Sequence, residues 1–312
     1  MPVWGSGTSA GCGRRDAAAG PSGGMADASL RYFWEQGRVS RMDAAEVSWT
    51  HAANSRARLM EALTGGCQPA STPPEPEPKT LSPSPYSPRP NPGPCHMIEA
   101  DVILRGCEPT EPVMAHPPDT DSDITLREWL EGVREHKKGI KLDFKSLEAV
   151  APSLPLLTEL LAEQKLPVWI NADVLCGPGG RARPLEPAAF LSAQGGPVTV
   201  KGSWLTGGPR VCAGYSWEEV HRMEEVCESL PNPVTFPVRA ALLAESFSQL
   251  SWLLQQSPRY TLTVWTGEKD DFALRDLLPY RQEFHLSRIY YDLPDPVRTQ
   301  LGMASRHQST DV

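Results

Sequence analysis

The sequence predicts an α/β fold, a (β/α)8 TIM-type barrel forming a single domain. Three observations carry this prediction. Short apolar runs alternate with amphipathic stretches of helical period along most of the 312 residues, the pattern of parallel-sheet proteins. Counting from Trp49 and treating 113–116 as an excursion gives eight strand–helix units, which suit a closed barrel better than an open sheet. His51, Asp101, Asp143 and Asp173 fall at or near the carboxyl ends of their strands, the face on which barrel active sites are built.

The elements follow in order. Residues 1–24 are rich in Gly, Ala and Ser and read as a disordered extension, with Met25 a candidate start of the ordered protein. Residues 27–34 read as a capped amphipathic helix. The first strand, 47–51, leads into a helix over 55–63. Residues 66–95 hold Pro73-Pro74-Glu75-Pro76-Glu77-Pro78 and Pro83-Ser84-Pro85, much of the chain's stock of 32 prolines. Such a stretch lacks the donors and the apolar face for helix or sheet, so a disordered insertion sampling polyproline II is expected. It offers a surface to a proline-recognition domain, although an inert insertion is the simpler reading. It follows a helix and precedes a strand, which sets it opposite the strand ends, and its closure entropy grows only logarithmically with length.

Beyond it come a strand over 97–104, the excursion to His116, a helix over 126–136, a strand over 139–145, a helix over 156–164 and a strand over 167–174. A short helix near 187–192 and a strand at 197–200 follow. The next helix, 216–229, has Ser216 as N-cap with Glu218 and Glu219 in its first turn. Then come a strand at 234–236, a helix over 240–255, a strand over 260–265, a helix over 272–281 and a last strand at 289–291. The barrel spans 25–302 and leaves a tail over 303–312.

A net charge of −8 and a pI near 5.5 argue against a nucleic-acid binder working through a broad basic surface. Seven cysteines without a Cys-x-x-Cys pair indicate free thiols in a reducing compartment. No apolar run is long enough for a transmembrane segment, and residues 1–24 have no apolar signal core. The residues alone therefore predict a soluble, intracellular (cytoplasmic) protein.

Strand side chains alternate faces, so Glu99 and Asp101 point one way together, as do Asp143 and Lys145. Charges within apolar strands are costly unless a metal, a partner charge or solvent receives them. Glu99, Asp101 and Asp143 are three hard oxygen ligands, suited to one divalent ion, Mg²⁺ or Ca²⁺, rather than zinc. Lys145 can hold a phosphate oxygen or pair with a carboxylate. His51 and His116 are candidates for base (or nucleophile) and acid. Asn171, Asp173 and Lys201 are candidate pocket residues, Asn171 and Asp173 either extending the metal shell or anchoring a loop. Arg239 and Asp292 also sit near strand ends and are candidates to line the pocket, with surface salt bridges the simpler reading, and Tyr290 and Trp204 read as core or rim. Gly177-Pro178-Gly179-Gly180-Arg181 lacks the Gly-Lys-Ser/Thr of a phosphate loop and reads as a turn.

The order His51, Glu99-x-Asp101, His116, Asp143-x-Lys145 resembles the phosphatidylinositol phospholipase C-like phosphodiesterases, which include glycerophosphodiester phosphodiesterases and sphingomyelinase D enzymes. The motifs Thr50-His51-Ala52-Ala53-Asn54-Ser55, Ile98-Glu99-Ala100-Asp101-Val102, Met114-Ala115-His116-Pro117-Pro118, Leu142-Asp143-Phe144-Lys145 and Trp169-Ile170-Asn171-Ala172-Asp173 resemble the menorin family more closely. That similarity runs from about Tyr32 to Leu301, without the insertion. It implies a TIM-type barrel with a metal on Glu99, Asp101 and Asp143 and acid–base roles for His51 and His116. Val264-Trp265-Thr266 is similar to the strand-seven tryptophan motif of the glycerophosphodiesterases, and the resemblance adds Asn54 and Trp265 as candidate pocket residues. The chain departs from those enzymes at Ala52-Ala53, where Arg-Gly is usual, and at Pro117, where Asp is usual. The resemblance implies a metal-dependent phosphodiesterase acting on a small phosphodiester or lysophospholipid head group. Its alternative is a non-catalytic binding or adaptor protein of neuronal morphogenesis or maintenance, extracellular like menorin relatives.

Overall fold

The computed structural model describes residues 28–64, 95–107, 110–178, 184–192, 199–205, 214–267 and 270–304. The expected extension, nearly all of the proline-rich insertion, the tail beyond 304 and the second half of the glycine-rich turn lie outside the described residues. Strands β1 (Trp49–Thr50), β2 (Met97–Leu104), β4 (Gly139–Phe144), β5 (Val168–Cys176), β6 (Thr199–Leu205), β7 (Val234–Arg239), β8 (Tyr260–Trp265) and β9 (Ile289–Asp292) pair in that order, all parallel. The excursion is a hairpin: β3 (Pro112–Met114) runs antiparallel along the far end of β2.

A helix follows each parallel strand. These are α2 (Arg56–Thr64), α3 (Leu126–Arg134), α4 (Val150–Glu163), α5 (Pro187–Ser192), α6 (Trp217–Cys227), α7 (Phe247–Gln256), α8 (Leu274–Glu283) and α9 (Asp295–Ala304), with α1 (Ala28–Glu35) ahead of them all. The expected alternation is therefore present. Among the described residues no helix is long and apolar enough to cross a membrane.

The sheet is strongly curved. At about 4.8 Å per strand, seven steps in a flat sheet would hold β1 and β9 roughly 34 Å apart. Instead the rings of Trp49 (β1) and Tyr290 (β9) lie 6.4 Å apart, and His51 Nε2 is 2.7 Å from Asp292 Oδ1. Side chains make this junction; among the described residues no backbone ladder joins β9 to β1.

Trp169 of β5 packs 5.0 Å from both of those rings. Helix α1 covers this cluster at the amino ends of the strands: Trp169 Nε1 donates to Ser29 Oγ at 2.8 Å, and Leu30 and Phe33 are fully buried. Gly139 permits the close approach, since a Cβ there would fall 2.1 Å from Met97 Sδ and 3.1 Å from Phe33 Cζ. Cys95, the last residue of the expected insertion, is fully buried, its Sγ 3.4 Å from Ala62 O.

Local chemistry sets the helix ends. The expected Ser216 cap is a complete capping box with Glu219, and Thr125 with Glu128 forms another on α3. Helix α4 begins six residues before the expected 156: Pro152 sits in its first turn, where a missing N–H costs little, and Pro155 lies inside the helix, where one backbone hydrogen bond is given up. The single helix expected over 240–255 is a 3-10 segment, Ala240–Glu245, followed by α7. Ser246 separates them, its Oγ donating to Leu242 O at 2.6 Å and accepting from Tyr215 N at 2.8 Å.

One half-buried histidine is expected to make the fold pH-sensitive. His96 Nδ1 accepts from Ser48 N at 3.1 Å and Nε2 donates to Arg38 O at 2.9 Å, which defines the neutral Nε2–H tautomer. Burial, aided by the charges of Arg38, Arg298 and Lys138, pushes its pKa down to about 4. Between the ordinary value near 6.5 and about 4 the unfolded chain binds a proton that the folded chain refuses, so acidification through that window costs up to about 3 kcal/mol. Chemical unfolding at pH 7 and pH 4.5 is expected to show His96→Gln losing less stability on acidification than the parent chain.

Candidate metal centre

The site is built by register. Glu99 pairs with Lys141 across β2 and β4, and one level further along Asp101, Asp143, Asn171 and Lys201 pair in a row across β2, β4, β5 and β6. Opposite charges face each other at the first level. At the second, two carboxylates stand directly opposite, an arrangement that destabilises a sheet unless a cation lies between them. Lys145, one residue past β4, supplies that cation, with Nζ 2.9 Å from Asp101 Oδ1 and 3.0 Å from Asp143 Oδ2.

The acids are 6–8% exposed. Oxygen atoms from Glu99, Asp101 and Asp143 lie within 4.8 Å of one another, so one ion can take an oxygen from each. The donor set is all hard oxygen, as Mg²⁺ or Ca²⁺ requires. Asn171 Oδ1, buried and with no partner in the described structure, adds a polar atom of the same kind. The residues fit a divalent ion.

The segment after β1 closes over this cluster. Ala52 takes a left-handed backbone, φ +51°, a conformation strained for a residue with a Cβ. It turns the chain so that Ala52 N approaches Glu99 Oε2 at 3.4 Å and Ala53 N donates to Glu99 O at 3.0 Å. Asn54 then clasps Asp101 twice: Nδ2 donates to Asp101 Oδ2 at 2.8 Å, and Oδ1 accepts from Asp101 N at 2.9 Å. Trp129 Nε1 on Ala53 O and Ser122 Oγ on Asn54 O hold the loop from outside.

His51 lies between two carboxylates, Nδ1 2.8 Å from Glu99 Oε2 and Nε2 2.7 Å from Asp292 Oδ1. Burial alone would lower its pKa, but Asp292 and Glu99 outweigh burial and raise it to about 10, which keeps the ring an imidazolium. Burial works against ionisation of Glu99 too, yet Lys141 (Nζ to Oε1 3.1 Å) and His51 hold it well below the usual carboxylate range. Asp143 is likewise lowered by Lys145 and Lys141 against burial. Asp101 is raised, by burial and by the neighbouring Glu99 and Asp143 charges, with Lys145 opposing. Both lysines are raised, their carboxylate partners overcoming desolvation.

The remaining expected residues divide. Asn54 and Asn171 join the cluster. His116 makes no hydrogen bond or ion pair with it: the residue is exposed in the turn after β3, its Nδ1 2.6 Å from Pro117 O. Asp173 lies two residues past Asn171 at the irregularity between β5 and β6, partly buried. Lys201 pairs with Asn171 through the backbone, and its side chain is outside the described residues. Trp265 sits under the Arg239 guanidinium, 5.8 Å from ring centroid to Cζ, and pairs in register with Asp292. Arg239 is held by Asp270 at 2.7 Å.

Two members differ from the sequence expectation. Lys141 is not among the expected site residues, although the Lys141-x-Asp143-x-Lys145 alternation sets all three on one face. Asp292 is a correction: it is not a surface ion-pair residue but a half-buried partner of His51, its side chain 12% exposed.

Comparison with known proteins agrees with the sequence motifs. The Menorin N-terminal domain family matches residues 89–298. Human Protein FAM151B is 42% identical over 295 residues, covering 92% of this chain and 97% of that protein. Among solved structures, a phosphodiesterase of Oleispira antarctica in complex with the product sn-glycerol-3-phosphate is similar, with a TM-score of 0.45 and 14% identity, over 82% of this chain and 96% of that one.

Proposed function

As the chain belongs to the menorin family, we propose that it is a metal-dependent phosphodiesterase acting on a small phosphodiester or lysophospholipid head group at one end of a closed (β/α)8 barrel. The observation that carries this reading is the convergence of Glu99, Asp101 and Asp143, with oxygens within 4.8 Å, beside a doubly anchored histidine. A bound Mg²⁺ or Ca²⁺ would supply positive charge to a phosphoryl oxygen. Lys145, already at the carboxylates, offers an ammonium to a second phosphoryl oxygen.

Both nitrogens of His51 meet carboxylates, so we assign it the proton-donating role toward the leaving oxygen, the reverse of the order in which the chain presents base and acid. His116 takes the accepting role. Its Nδ1 donates to the Pro117 carbonyl, which leaves Nε2 bare. Antiparallel pairing of β3, from Leu104↔Pro112 to Val102↔Met114, brings the chain back toward the level of Asp101 just before His116.

The test is turnover by the purified full chain across a panel of glycerophosphodiesters and lysophospholipids. Activity is expected with MgCl2 or CaCl2 and is expected to fall to background with a chelator. No turnover across the panel with an ion bound refutes the reading.

One observation supports a second reading. His51, Lys141 and Lys145 already neutralise three of the charges on Glu99, Asp101, Asp143 and Asp292. Such a network holds together without an ion and would serve a non-catalytic adaptor of neuronal morphogenesis or maintenance. On that reading neither Mg²⁺ nor Ca²⁺ shifts the melting temperature.

A further inference from the structure

We infer that the side-chain oxygen of Asn171 is a fourth oxygen donor to the cation held by Glu99, Asp101 and Asp143, an inference that rests on reading that cluster as a metal centre. Asn171 is fully buried in the middle of β5 and level with Asp143 and Asp101 in adjacent strands. Its amide orientation is set by chemistry. Nδ2 lies 2.5 Å from Asp143 Oδ1, and an ionised carboxylate can only accept, so the nitrogen faces Asp143 and the oxygen turns away from it. The planar amide keeps Oδ1 about 2.3 Å from Nδ2, hence within about 5 Å of the Asp143 carboxylate.

That oxygen has no partner in the described structure. Buried amide oxygens are almost always satisfied, and one left alone beside hard oxygen ligands calls for a cation or a donor. The residue type fits this task. Asp101 and Asp143 already stand opposite each other with one ammonium between them. A third carboxylate in the row would add repulsion, whereas an amide oxygen adds a ligand without adding charge.

Titrating the full chain with MgCl2 and with CaCl2, by calorimetry and by melting temperature, tests this without any substrate. Asn171→Ala is expected to weaken the parent chain's ion affinity about tenfold or more. Asn171→Asp keeps an oxygen but loses the amide donor. It is expected to bind as tightly as the parent or more tightly, with a larger melting shift on ion addition, because the ion relieves the new repulsion. If the parent binds and Asn171→Ala binds within twofold of it, the oxygen is not a ligand and the inference fails while the metal centre stands. Weakened binding by Asn171→Asp also overturns it, since only the amide donor to Asp143 would then matter. Should Asn171→Ala not fold, the Asn171→Asp comparison decides alone. A parent chain that binds neither ion refutes the metal centre and the inference together.

Discussion

Replacing Arg281 with alanine is expected to lower the unfolding free energy by about 3 kcal/mol, the low end of the cost of breaking a buried ion pair, because Arg41 stays 3.4 Å from the Asp43 carboxylate. Arg281 grips Asp43 with both terminal nitrogens, at 2.7 and 2.9 Å, where the two side chains are 4% and 0% exposed. Asp43 has a second task, since its Oδ1 accepts from Ala45 N at 3.0 Å and starts the 3-10 segment Ala44–Glu46. The guanidinium also lies over Tyr291, 5.6 Å from the ring centroid. Alanine thus leaves Asp43 with Arg41 alone, a half-exposed cation 3.4 Å away, and removes the cation stacked on Tyr291. Lysine at 281 should recover only part of the loss, because a single ammonium cannot reproduce the two-point grip. The double variant Asp43→Asn with Arg281→Met should be much closer to the parent chain, having no unpaired charge to bury. Urea unfolding of the four proteins measures this. A loss below about 1 kcal/mol for Arg281→Ala would mean that water reaches Asp43 and solvates it.

The position of this pair links stability to the site. Asp43 precedes β1 and Arg281 lies on α8, so the pair ties the first strand's approach to the last strand–helix units. His51 and Asp292 meet across that same junction. Loosening the first contact is expected to broaden the second.

How much of the site could be read from sequence depended on the distance over which the relevant rule acts. Glu99 with Asp101 and Asp143 with Lys145 were legible because a period of two is local and every strand obeys it. The cap at Ser216 was legible for the same reason. The early start of α4 was not, because proline beyond the first turn normally ends a helix, whereas this one keeps Pro155 inside it as well as Pro152 in its first turn. Asp292 was named but assigned to the surface. It lies 241 positions from His51, and nothing local reveals that the sheet curls until its two ends meet. His116 shows the opposite case. Its place in the motif suggested a side chain already in the cluster, whereas the hairpin returns it to the vicinity and leaves the ring exposed. Asn54 emerged only through the family-like motif, since the clasp on Asp101 depends on the left-handed turn at Ala52.

On the enzymatic reading, His51→Ala is expected to cut turnover by about 10²–10⁴-fold, the usual contribution of a positioned acid–base group. The loss should fall on kcat rather than KM, because the ring delivers a proton in the transition state and does not hold the ground-state phosphate. Geometry also predicts how the defect can be repaired. The two carboxylates that clamp the ring, Glu99 and Asp292, remain after the substitution, and the space left between them is the shape of an imidazole. Added imidazole should therefore restore part of the lost rate, in a saturable manner. Asp292→Asn should leave the histidine present but change the charge on Nε2, giving a smaller fall in kcat that imidazole does not repair. Folding must be measured alongside. Glu99 keeps Lys141 at 3.1 Å in the His51→Ala variant and so is not stranded, and its melting temperature should stay near that of the parent. A folded His51→Ala protein with undiminished turnover would remove His51 from the chemistry. A fall in rate that imidazole leaves untouched, accompanied by a lowered melting temperature, would make the residue a structural clamp between two acids.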